Sequence, residues 1–442
     1  MTESIDIERV VKDVIGKYLS SSAKLAVGVS GGEDSMCLLA ALLKIRDKKT
    51  LKVVHIQHGI RGAESIDDAL FVERFCKKNG VEFLRFDADI PKIAAGEKSG
   101  VESAARNYRK KVFESLIRKR SADFIALAHH REDQTESVLM HVFRGSGTGG
   151  LAGMTEKDGF ILRPLISVSK SGISKYVHEN AVPFRVDSTN CDTSYNRNFL
   201  RKEVIPLIQR RYDVQAAAER LAFLSAADDR FIYSLIGDDE FFENGNECSF
   251  ASSALDKPYA LSSRYAITAM KKAGLCGDFE KKHIDAVLSL SGMQNGCETA
   301  LPHGYRAVKE YDLVTVYKKN VPQFDETAFA LGITPFAEGY VTVAAADKSF
   351  EKGSPVFDGD KIPSSAVIRF RRDGDIFKPF GGGTKKLKEY FIDEKVPRRY
   401  RDGIPLICDG NNVLCVCGME ISDYIKVTDN TGICLKFTYD KE

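Results

Sequence analysis

The segment LAVGVSGGEDSMCLLAALL, at residues 25–43, constrains the fold more than any other part of the chain. It opens with Leu25–Val29, a short apolar and partly β-branched run that is typical of a buried strand. The hexapeptide SGGEDS at residues 30–35 then leads into an apolar helix, which we expect to start near Met36. Two adjacent glycines permit positive φ and lack Cβ atoms, so backbone N–H groups can approach an anion closely. Strand, glycine-rich turn and helix in this order predict a phosphate-binding loop.

The residues of this loop suit a phosphate group. Asp34 and Ser35 lie at the predicted helix N-terminus, where unpaired amides and the helix dipole favour anions. The loop differs from a Walker loop because no Gly-Lys-Ser/Thr follows at the required spacing, and it lacks the Gly-x-Gly-x-x-Gly dinucleotide pattern. It resembles the PP-loop of the ATP pyrophosphatase superfamily, whose members split ATP into AMP and pyrophosphate. A glycine-rich turn without a ligand is the alternative.

Length, charge and cysteine content limit the class of protein. A chain of 442 residues is too long for one core and predicts two to four domains of about 150 residues. The net charge of +2 indicates no general polyanion binder, so nucleic-acid contacts would come from local patches. Ten scattered cysteines without a Cys-x-x-Cys pair argue against a zinc ribbon or an iron–sulfur cluster. We expect a cytoplasmic protein with no membrane partner, since no signal segment or membrane-length apolar run is present.

Strand-like and helix-like segments alternate through the first part of the chain. Strands are expected at residues 52–57, 81–86 and 123–128, and helices at residues 64–79, 101–119 and 131–143. This alternation predicts an α/β fold, a doubly wound, Rossmann-like parallel sheet whose ligands bind at the carboxyl ends of the strands. The polar segments follow predicted strands: SGGEDS, then HGIRG at residues 58–62, then His129 and His130.

We predict three domains, with boundaries at residues 1–212, 213–333 and 334–442. The α/β domain closes with a basic helix at residues 197–211, interrupted by Pro206. A mainly helical domain follows and opens with an alanine-rich helix. The last domain has short β-rich runs separated by Gly and Asp turns, which predict a small α+β fold.

Two charged clusters are candidate binding residues. In HHREDQTES, Asp133 and Glu136 are three residues apart and share a helical face. An acidic first turn that only starts the helix is the alternative, but the preceding double histidine favours a substrate site. Arg106 and Arg109 are likewise three apart, and a solvated basic face explains them equally well. The glycines of RGSGTGG, from Arg144, are either helix stops or part of a mobile loop over a ligand.

In their order along the chain, these motifs resemble the tRNA(Ile)-lysidine synthase family. The series GVSGGEDS, HIQHGIRGAES, ESAARNYR, ALAHHREDQTES, RGSGTGGL, RPLI and DSTNCDTSYNRNFLR carries the resemblance from residue 25 to about residue 210. The tail segment IRFRRDGDIFKPFGGGTKKLKEYFIDEKVPRRYRDGIPLI resembles the C-terminal domain of the longer members, whereas residues 215–330 match loosely. The PP-loop alone is shared with thiolases and several synthetases, so the combination carries the specificity.

The resemblance implies a two-step ligation on the wobble cytidine of the isoleucine tRNA with a CAU anticodon. ATP adenylates the 2-oxo group and releases pyrophosphate; the ε-amine of free L-lysine then displaces AMP. The product, lysidine, pairs with A instead of G, which changes the codon read from AUG to AUA. The implied participants are ATP, Mg²⁺, L-lysine and this tRNA, and a homodimer is a possibility. A PP-loop tRNA 2-thiolase and a non-catalytic tRNA-binding scaffold with an inert loop are the alternatives.

The resemblance also implies roles for individual residues. The ATP phosphates would be bound by Ser30, Gly31, Gly32, Glu33, Asp34 and Ser35, and the adenine by His55, Ile56 and Gly59. Asp34 is the candidate Mg²⁺ ligand. Asp133 and Glu136 would bind lysine, and Arg109, or alternatively Arg106, its carboxylate. Asp34, Asp133 and Arg109 are therefore the candidate catalytic residues, and Asp34 or Asp133 would accept the proton that the lysine amine, with a pKa near 10.4, must lose.

The helix that contains Arg109 departs from the family pattern at one position. The family usually shows Arg-x-x-Arg-Tyr in the lysine-site helix, whereas here Tyr108 precedes Arg109, so aromatic packing is in doubt there.

Residues 361–400 carry 11 Lys/Arg against 5 Asp/Glu, which predicts tRNA contacts through phosphates, with a solvated basic surface as the alternative. The candidate tRNA-binding residues are Arg197, Arg201, Arg369, Arg371, Lys385, Lys386, Lys388 and Arg398.

Overall fold

The computed structural model describes residues 6–59, 63–97, 100–186, 196–275, 277, 279–319, 326–349 and 355–441. Within it the chain divides into two compact units, Met1–Phe231 and Ile232–Glu442. The alanine-rich helix predicted for the second domain begins inside the first unit, at Val214. The three-domain division with boundaries after residues 212 and 333 stays a prediction.

A six-stranded sheet forms the centre of the first unit. Its strands are β1 (Leu25–Gly28), β2 (Leu51–Gln57), β3 (Glu82–Asp87), β4 (Phe124–Ala126), β5 (Lys157–Asp158) and β6 (Ile161–Leu162). They lie in the order β3-β2-β1-β4-β6-β5. All neighbouring pairs are parallel except β5 with β6.

Helices alternate with these strands along the chain, as the sequence predicts. They are α1 (Ile7–Tyr18), α2 (Glu33–Ile45), α3 (Ala63–Asn79), α4 (Ile90–Glu97), α5 (Val101–Arg118), α6 (Arg131–Phe143), α7 (Thr148–Leu151), α8 (Lys170–Glu179), α9 (Asn196–Phe199), α10 (Ile205–Gln209) and α11 (Val214–Ser234). None of the helices in the described part of the chain combines the length and the apolar character that crossing a membrane requires.

The residues of β1 alternate between the two faces of the sheet. Leu25 and Val27 belong to a buried cluster with Leu38 of α2 and Ile173 of α8, whereas Ala26 packs in the cluster around Phe113 of α5. Successive side chains of a strand point to opposite faces, so helices cover both sides of the sheet. Burying each large apolar side chain contributes about 1.5–3 kcal/mol. The predicted doubly wound α/β arrangement is confirmed.

The helix after the phosphate loop begins nearly a turn earlier than expected. α2 starts at Glu33, and the start near Met36 is wrong. The reason is that Gly32 is the N-cap residue, with an extended backbone at φ −74° and ψ 163°. Glu33 and Asp34 therefore lie in the first helical turn, where the dipole favours acidic side chains.

The basic helix expected at residues 197–211 is interrupted as predicted, and the interruption is a π-helical turn. This turn spans Leu200–Val204 between α9 and α10, and the Ile205 N–H donates to the Leu200 carbonyl five residues back. Pro206 has no N–H, and a proline ring clashes with the carbonyl four residues earlier in an α-helix. The π turn widens the helix just before that clash would occur.

The first part of the second unit combines helices with an antiparallel sheet. The helices are α12 (Tyr259–Lys272) and α13 (Lys281–Leu288). The strands are β7 (Phe241–Asn244), β8 (Glu247–Ala251), β9 (Glu298–Ala300), β10 (Tyr305–Glu310) and β11 (Leu313–Lys318), in the order β7-β8-β11-β10-β9. The expected helical segments are present, and the sheet is an element that the sequence analysis did not resolve. Its strand β11 is buried continuously from Val314 to Tyr317 and shows no alternation that would mark it as a strand.

The rest of the second unit is rich in short strands, as expected. One sheet contains β12 (Thr327–Ala328), β16 (Val367–Arg369), β17 (Ile376–Phe377), β18 (Lys385–Lys386), β19 (Leu406–Asp409), β20 (Asn412–Val416) and β21 (Glu420–Ile421). The other contains β13 (Gly332–Phe336), β14 (Gly339–Ala345), β15 (Val356–Asp358) and β22 (Cys434–Lys441). The helices are α14 (Leu387–Asp393) and α15 (Arg398–Arg401). Phe336, Ile407 and Phe437 belong to their shared core.

Arg369 is buried in this part of the second unit, and its prediction as a tRNA contact is wrong. The residue is 2% exposed. Its Nη1 and Nη2 donate to the two carboxylate oxygens of Asp375, at 3.0 and 2.7 Å, and Nη2 also donates to the Gly410 carbonyl at 2.8 Å. A guanidinium enclosed in this way cannot reach a phosphate. Charge counting along the sequence does not separate such an internal ion pair from a surface cation.

The other predicted tRNA contacts of this unit differ in their surroundings. Arg371 Nε donates to the Asp402 carboxylate at 2.5 Å, and Lys385 Nζ donates to Asp393 at 2.7 Å. Both pairs are partly exposed, and such pairs are weak enough for a phosphate to replace the carboxylate. The other three predicted contacts, Lys386, Lys388 and Arg398, are exposed. Their role in binding tRNA stays a prediction.

Replacing Arg369 by leucine should destabilise the second unit. We expect the free energy of unfolding to fall by about 3–5 kcal/mol, because the Asp375 carboxylate would be buried without its counter-ion. Urea unfolding followed by circular dichroism measures the change. The exposed Lys388→Leu variant is the control, and it should stay within about 0.5 kcal/mol of the unmodified protein. A fully stable Arg369→Leu protein with weakened tRNA binding would restore the original assignment.

Candidate active site

A cavity of about 830 Å³ opens at the carboxyl ends of β1 and β4. From β1 the chain runs through β2 and β3 on one side of the sheet and then crosses to β4 on the other side. The strand order reverses between β1 and β4, which is where ligands of open α/β sheets bind. The loop at residues 30–35 and the residues His129 and His130 line the cavity. The structure therefore brings together motifs that are a hundred residues apart in the sequence.

The loop at residues 30–35 is closed on itself by its serine hydroxyls. The Ser30 N–H donates to Ser35 Oγ at 3.2 Å, Ser35 Oγ donates to the Gly32 carbonyl at 2.9 Å, and the Gly32 N–H donates to Ser30 Oγ at 3.3 Å. Gly31 has φ +95°, a conformation that favours glycine. The first amides of α2 have no carbonyl within their own helix to bind. The loop thus offers backbone donors and the positive end of the α2 dipole to an anion.

Lys170, at the start of α8, reaches this loop from the other side of the cavity. Its Nζ lies 2.9 Å from Glu33 Oε2 and also pairs with Asp34 Oδ1. Burial alone would lower the pKa of Lys170, but its hydrogen bonds to Asp34 and Glu33 raise it. The ammonium group is therefore a permanent positive charge beside the phosphate-binding loop.

The imidazole of His130 connects the loop to the acidic start of α6. Its Nδ1 lies 2.9 Å from Glu132 Oε2, and its Nε2 lies 3.7 and 3.6 Å from Asp34 Oδ2 and Asp133 Oδ2. Burial opposes protonation, but the hydrogen bond to Glu132 and the charges of Asp133 and Asp34 raise the pKa of His130. The Glu132 carboxylate also accepts a hydrogen bond from the backbone N–H of Lys170. These contacts join the loop at residues 30–35, the start of α6 and the start of α8 into one network.

Asp133 and Glu136 are buried on α6, and two arginines of the π-interrupted helix bind them. Arg197 Nη2 lies 3.0 Å from Asp133 Oδ1, and its Nε lies 2.6 Å from Glu136 Oε2. Arg201 Nη2 lies 3.0 Å from both Asp133 Oδ1 and Glu136 Oε2, and its Nε pairs with Glu136 Oε1. Burial favours a neutral Asp133, but the charges of His130 and Arg197 lower the pKa of its carboxyl group. The structure thus places two predicted tRNA contacts on the two predicted lysine-binding carboxylates.

Arg109 lines the same cavity from α5, whereas Arg106 is not among the described lining residues. Within the described part of the chain, the Arg109 guanidinium has no ion pair or hydrogen bond of its own. Burial, Arg106 and Arg197 lower the pKa of Arg109. An unpaired cation in a cavity with other cations favours an anionic ligand. This geometry supports Arg109 over Arg106 as the candidate for the lysine carboxylate.

Two histidines of the cavity present a ring nitrogen without a partner. His58 Nδ1 and His129 Nδ1 are buried, and neither has a hydrogen bond within the described structure. Burial lowers the pKa of His58 to about 4, with Arg109 and His55 adding to the shift. Burial also lowers the pKa of His129 to about 4, which the charge of Asp133 partly opposes. Both rings are neutral near pH 7 and can offer the free nitrogen to a ligand.

The residues predicted to bind adenine have different positions. Ile56 lines the cavity, whereas the buried His55 ring bonds the Val29 carbonyl through Nδ1 at 2.8 Å and thereby joins β2 to the end of β1. Gly59 has φ +66°, and a Cβ there would lie 2.9 Å from the Ala88 carbonyl oxygen, so only glycine fits. The rest of the HGIRG motif, residues 60–62, lies outside the described residues, as does the segment 187–195.

Two family models match the chain. A PP-loop domain model covers residues 3–208, and a model of the TilS substrate C-terminal domain covers residues 366–436. The tRNA(Ile)-lysidine synthase of Caldanaerobacter subterraneus subsp. tengcongensis is 35% identical over 460 residues, covering 99% of this chain and 98% of the relative. The chain belongs to the tRNA(Ile)-lysidine synthase family. Other members are the lysidine synthases of Clostridium tetani, 33% identical over 98% of both chains, and of Bacillus subtilis, 33% identical over 93% of both.

The family assignment made from the motifs is therefore confirmed over the whole length. The coverage includes residues 215–330, where the motif-based resemblance was loose. The PP-loop fold of the first domain is confirmed by both the family model and the parallel sheet.

Sequence reasoning missed Lys170, although a signal for it exists. Lys170 follows the RPLI motif by four residues, and Ser169 before it is the N-cap residue of α8, accepting the Gly172 N–H at 3.2 Å. A serine N-cap after a short strand of the same sheet places the first helical residue at the ligand-binding edge. What the sequence does not reveal is that this lysine faces Glu33 and Asp34, which requires the order of the strands.

The buried environment of His58 predicts an abnormal titration. Its imidazole should stay neutral until the pH falls to about 4, because burial and Arg109 disfavour its charged form. Since the folded pKa is below the unfolded value of about 6.5, this group favours folding above pH 6.5, and its contribution is lost as the pH falls toward 4. NMR titration of the ring, assigned by comparison with His58→Gln, measures the pKa. Titration near 6.5 would contradict the buried placement.

Lys170→Met should weaken the binding of ATP. Hydrogen bonds to charged groups contribute about 1.5–3 kcal/mol, so we expect the KM for ATP to rise roughly 10- to 150-fold. Lys170→Arg should recover part of this loss, since it keeps the charge. The control is Lys175→Met on the same helix, whose Nζ makes a loose surface pair with Glu179 at 3.7 Å. Steady-state kinetics measure the change; an unaltered KM for ATP would remove Lys170 from the nucleotide site.

Proposed function

We propose that this chain catalyses the reaction of its family, the ATP-dependent ligation of L-lysine to the wobble cytidine of the CAU-anticodon isoleucine tRNA. The observation that carries the proposal is one cavity lined by a phosphate-binding loop, a cation beside that loop, an arginine that has no partner among the described residues, and the buried carboxylate of Glu136, which binds Arg197 together with the buried Asp133. The first two fit ATP, and the last two fit the carboxylate and the ammonium group of a free amino acid. Such a cavity fits a ligase that binds a nucleotide and an amino acid together.

The loop at residues 30–35 would bind the ATP phosphates, with Lys170 as an additional cation. The Asp34 carboxylate lies at the same position and is one third exposed. Mg²⁺ commonly binds one or two carboxylates together with substrate phosphates, so this oxygen donor beside the loop fits the ion. When bound, Mg²⁺ would neutralise charge on the phosphates. Asp34 would hold the ion, and Lys170, which also pairs with Glu33, would remain as a cation beside the phosphates.

The reaction itself requires mainly positioning. In the first step the 2-oxygen of cytosine forms a bond to the α-phosphorus of ATP, and the bond to pyrophosphate breaks. In the second step the lysine ε-nitrogen bonds to C2 of the cytosine, and AMP leaves with the oxygen. Holding the reactants in one cavity can supply roughly 7–11 kcal/mol of the barrier in favourable cases.

The lysine amine must lose a proton before it attacks. Asp133 is held ionised by His130 and Arg197, which suits it to bind an ammonium group and makes it a weak base. We therefore favour Asp34 of the two candidate proton acceptors. Arg109 would bind the lysine carboxylate, and Asp133 and Glu136 the amine end. The catalytic residues that we propose remain Asp34, Asp133 and Arg109.

Contacts with tRNA are proposed for the exposed cations of the second unit, Lys386, Lys388 and Arg398, together with Arg371 and Lys385. They would bind phosphates and make the affinity strongly dependent on salt. A cytoplasmic location and a homodimer remain predictions.

The thiolase alternative is disfavoured by the chemistry of Cys37, a thiol close to the loop within the described residues. Cys37 follows the phosphate loop by two residues but is fully buried on α2. Burial raises the pKa of the Cys37 thiol to about 12, with Asp34 and Glu33 adding to the shift. A thiol of this kind is not a nucleophile near pH 7. The scaffold alternative does not explain why the loop, the cation and the carboxylates meet.

The direct test is mass analysis of nucleosides from a CAU-anticodon isoleucine tRNA incubated with the protein, ATP and L-lysine. We expect a cytidine whose mass has increased by the mass of one lysine less that of one water molecule. Asp34→Asn should abolish the product while retaining the fold, as judged by circular dichroism, because it removes the carboxylate beside the phosphate loop. Product formation with sulfide instead of lysine would support the thiolase, and no tRNA-dependent release of AMP would support the scaffold.

A further inference from the structure

The carboxylates assigned to lysine are already bound by the chain itself. Asp133 Oδ1 accepts from both Arg197 and Arg201, and its Oδ2 accepts the backbone N–H of His130 at 3.0 Å. Glu136 Oε1 accepts from Arg201, and its Oε2 accepts from both arginines. A carboxylate has about four acceptor positions, and each of these two already has three donors. A lysine ammonium group, which brings three donors, therefore has to displace an arginine to bind these carboxylates fully.

The charges lead to the same conclusion. The two carboxylates carry two negative charges, and the two guanidinium groups compensate them with two positive charges. An added ammonium group would gain no net attraction, and the unpaired Arg109 nearby would repel it. This compensation of both carboxylates by the arginines therefore opposes the binding of lysine.

The arginines, unlike the carboxylates, remain accessible. The side chains of Arg197 and Arg201 are 39% and 42% exposed, against 12% for Asp133 and 1% for Glu136. Arg201 also lines the cavity that contains the phosphate-binding loop. Phosphate oxygens match the guanidinium fork and compete for it as a carboxylate does. A phosphate ligand can thus reach these arginines from the open side.

Arg201 lies in an irregular turn of its helix. This π turn spans Leu200–Val204, and in it the Ile205 N–H bonds the carbonyl five residues back. Single π turns within α-helices are rare and occur frequently at functional sites. The contact of Arg201 with α6 is therefore made from a segment of the kind that functional sites use, and not from the middle of a regular helix.

We infer that Arg197 and Arg201 form a latch on the lysine site, which a phosphate ligand opens. In the free protein the two arginines occupy Asp133 and Glu136. When phosphate groups of ATP or of the tRNA draw the arginines away, the two carboxylates become available to the lysine ammonium group. Lysine then binds well only after a phosphate ligand has bound. The inference rests on the proposed function and adds an order of binding to it.

The test is the affinity of the full chain for radiolabelled L-lysine in equilibrium dialysis. Four conditions are compared: protein alone, with an ATP analogue that cannot be cleaved between the α- and β-phosphorus, with the CAU-anticodon isoleucine tRNA, and with both. We expect weak binding to the protein alone and an increase of roughly 5- to 150-fold with a phosphate ligand, the usual range of coupling between sites. The two single-ligand conditions identify which phosphate opens the latch. No increase under any condition overturns the inference.

Variants separate a latch from a purely structural ion pair. Arg201→Gln alone should bind lysine as tightly as the ligand-bound wild type and gain little from phosphate ligands. The control Arg210→Gln removes a charge from the exposed end of the same helix and should behave as wild type. Equal or lower lysine affinity in Arg201→Gln would overturn the latch. Arg197→Gln is the second variant if thermal unfolding shows that Arg201→Gln is misfolded.

The outcome is distinguishable from failure of the proposed function. Wild-type protein that forms lysidine but binds lysine equally under all four conditions refutes the latch alone. Wild-type protein that forms no lysidine refutes the proposed function. Coupling is reciprocal, so lysine should also raise the affinity for the opening phosphate ligand by the same factor.

Discussion

Four carboxylates, those of Glu33, Asp34, Asp133 and Glu136, lie at one edge of a parallel sheet and must be kept ionised there. Burial opposes this, so each carboxylate has a cation beside it. The compensating groups come from distant parts of the chain: Lys170 from α8, His130 from the start of α6, and Arg197 and Arg201 from the π-interrupted helix. The geometry of the site is the arrangement of these ion pairs.

These same pairs give the site its capacity to respond to ligands. A phosphate group or a metal ion that enters the cavity competes for one partner of a pair and releases the other. Lys170 can exchange Asp34 for a phosphate, and the two arginines can exchange carboxylates for phosphates. Breaking such a pair without replacing it is costly, so partner exchange is the favourable path. Under the proposed latch, binding of one substrate would thus prepare the site for the next.

The second unit shows where charge counting fails. The basic residues at 361–400 include a buried structural pair, partly exposed pairs such as Arg371 with Asp402 and Lys385 with Asp393, and exposed cations such as Lys386, Lys388 and Arg398. Arg369 and Lys388 contribute equally to the charge of the segment, but one stabilises a core and the other faces solvent. The distinction depends on which residues face Asp375 after the strands have paired. Composition contains no information about that pairing.

By itself, the sequence determined the family, the strand–loop–helix phosphate site and the doubly wound sheet, because these depend on short-range patterns: apolar runs, paired glycines and the period of the helices. It also placed Asp133 and Glu136 among the candidates, because charged residues after strands of a parallel sheet meet at one edge. Arg109 became a candidate through the family resemblance. The tertiary structure alone decided which charges face each other. It brought Lys170 to the loop at residues 30–35 and placed Arg197 and Arg201 on Asp133 and Glu136. Such contacts join residues separated by 61 (Arg197 to Glu136) to 137 positions (170 − 33, Lys170 to Glu33), and local pattern does not specify them because they depend on strand order and helix packing.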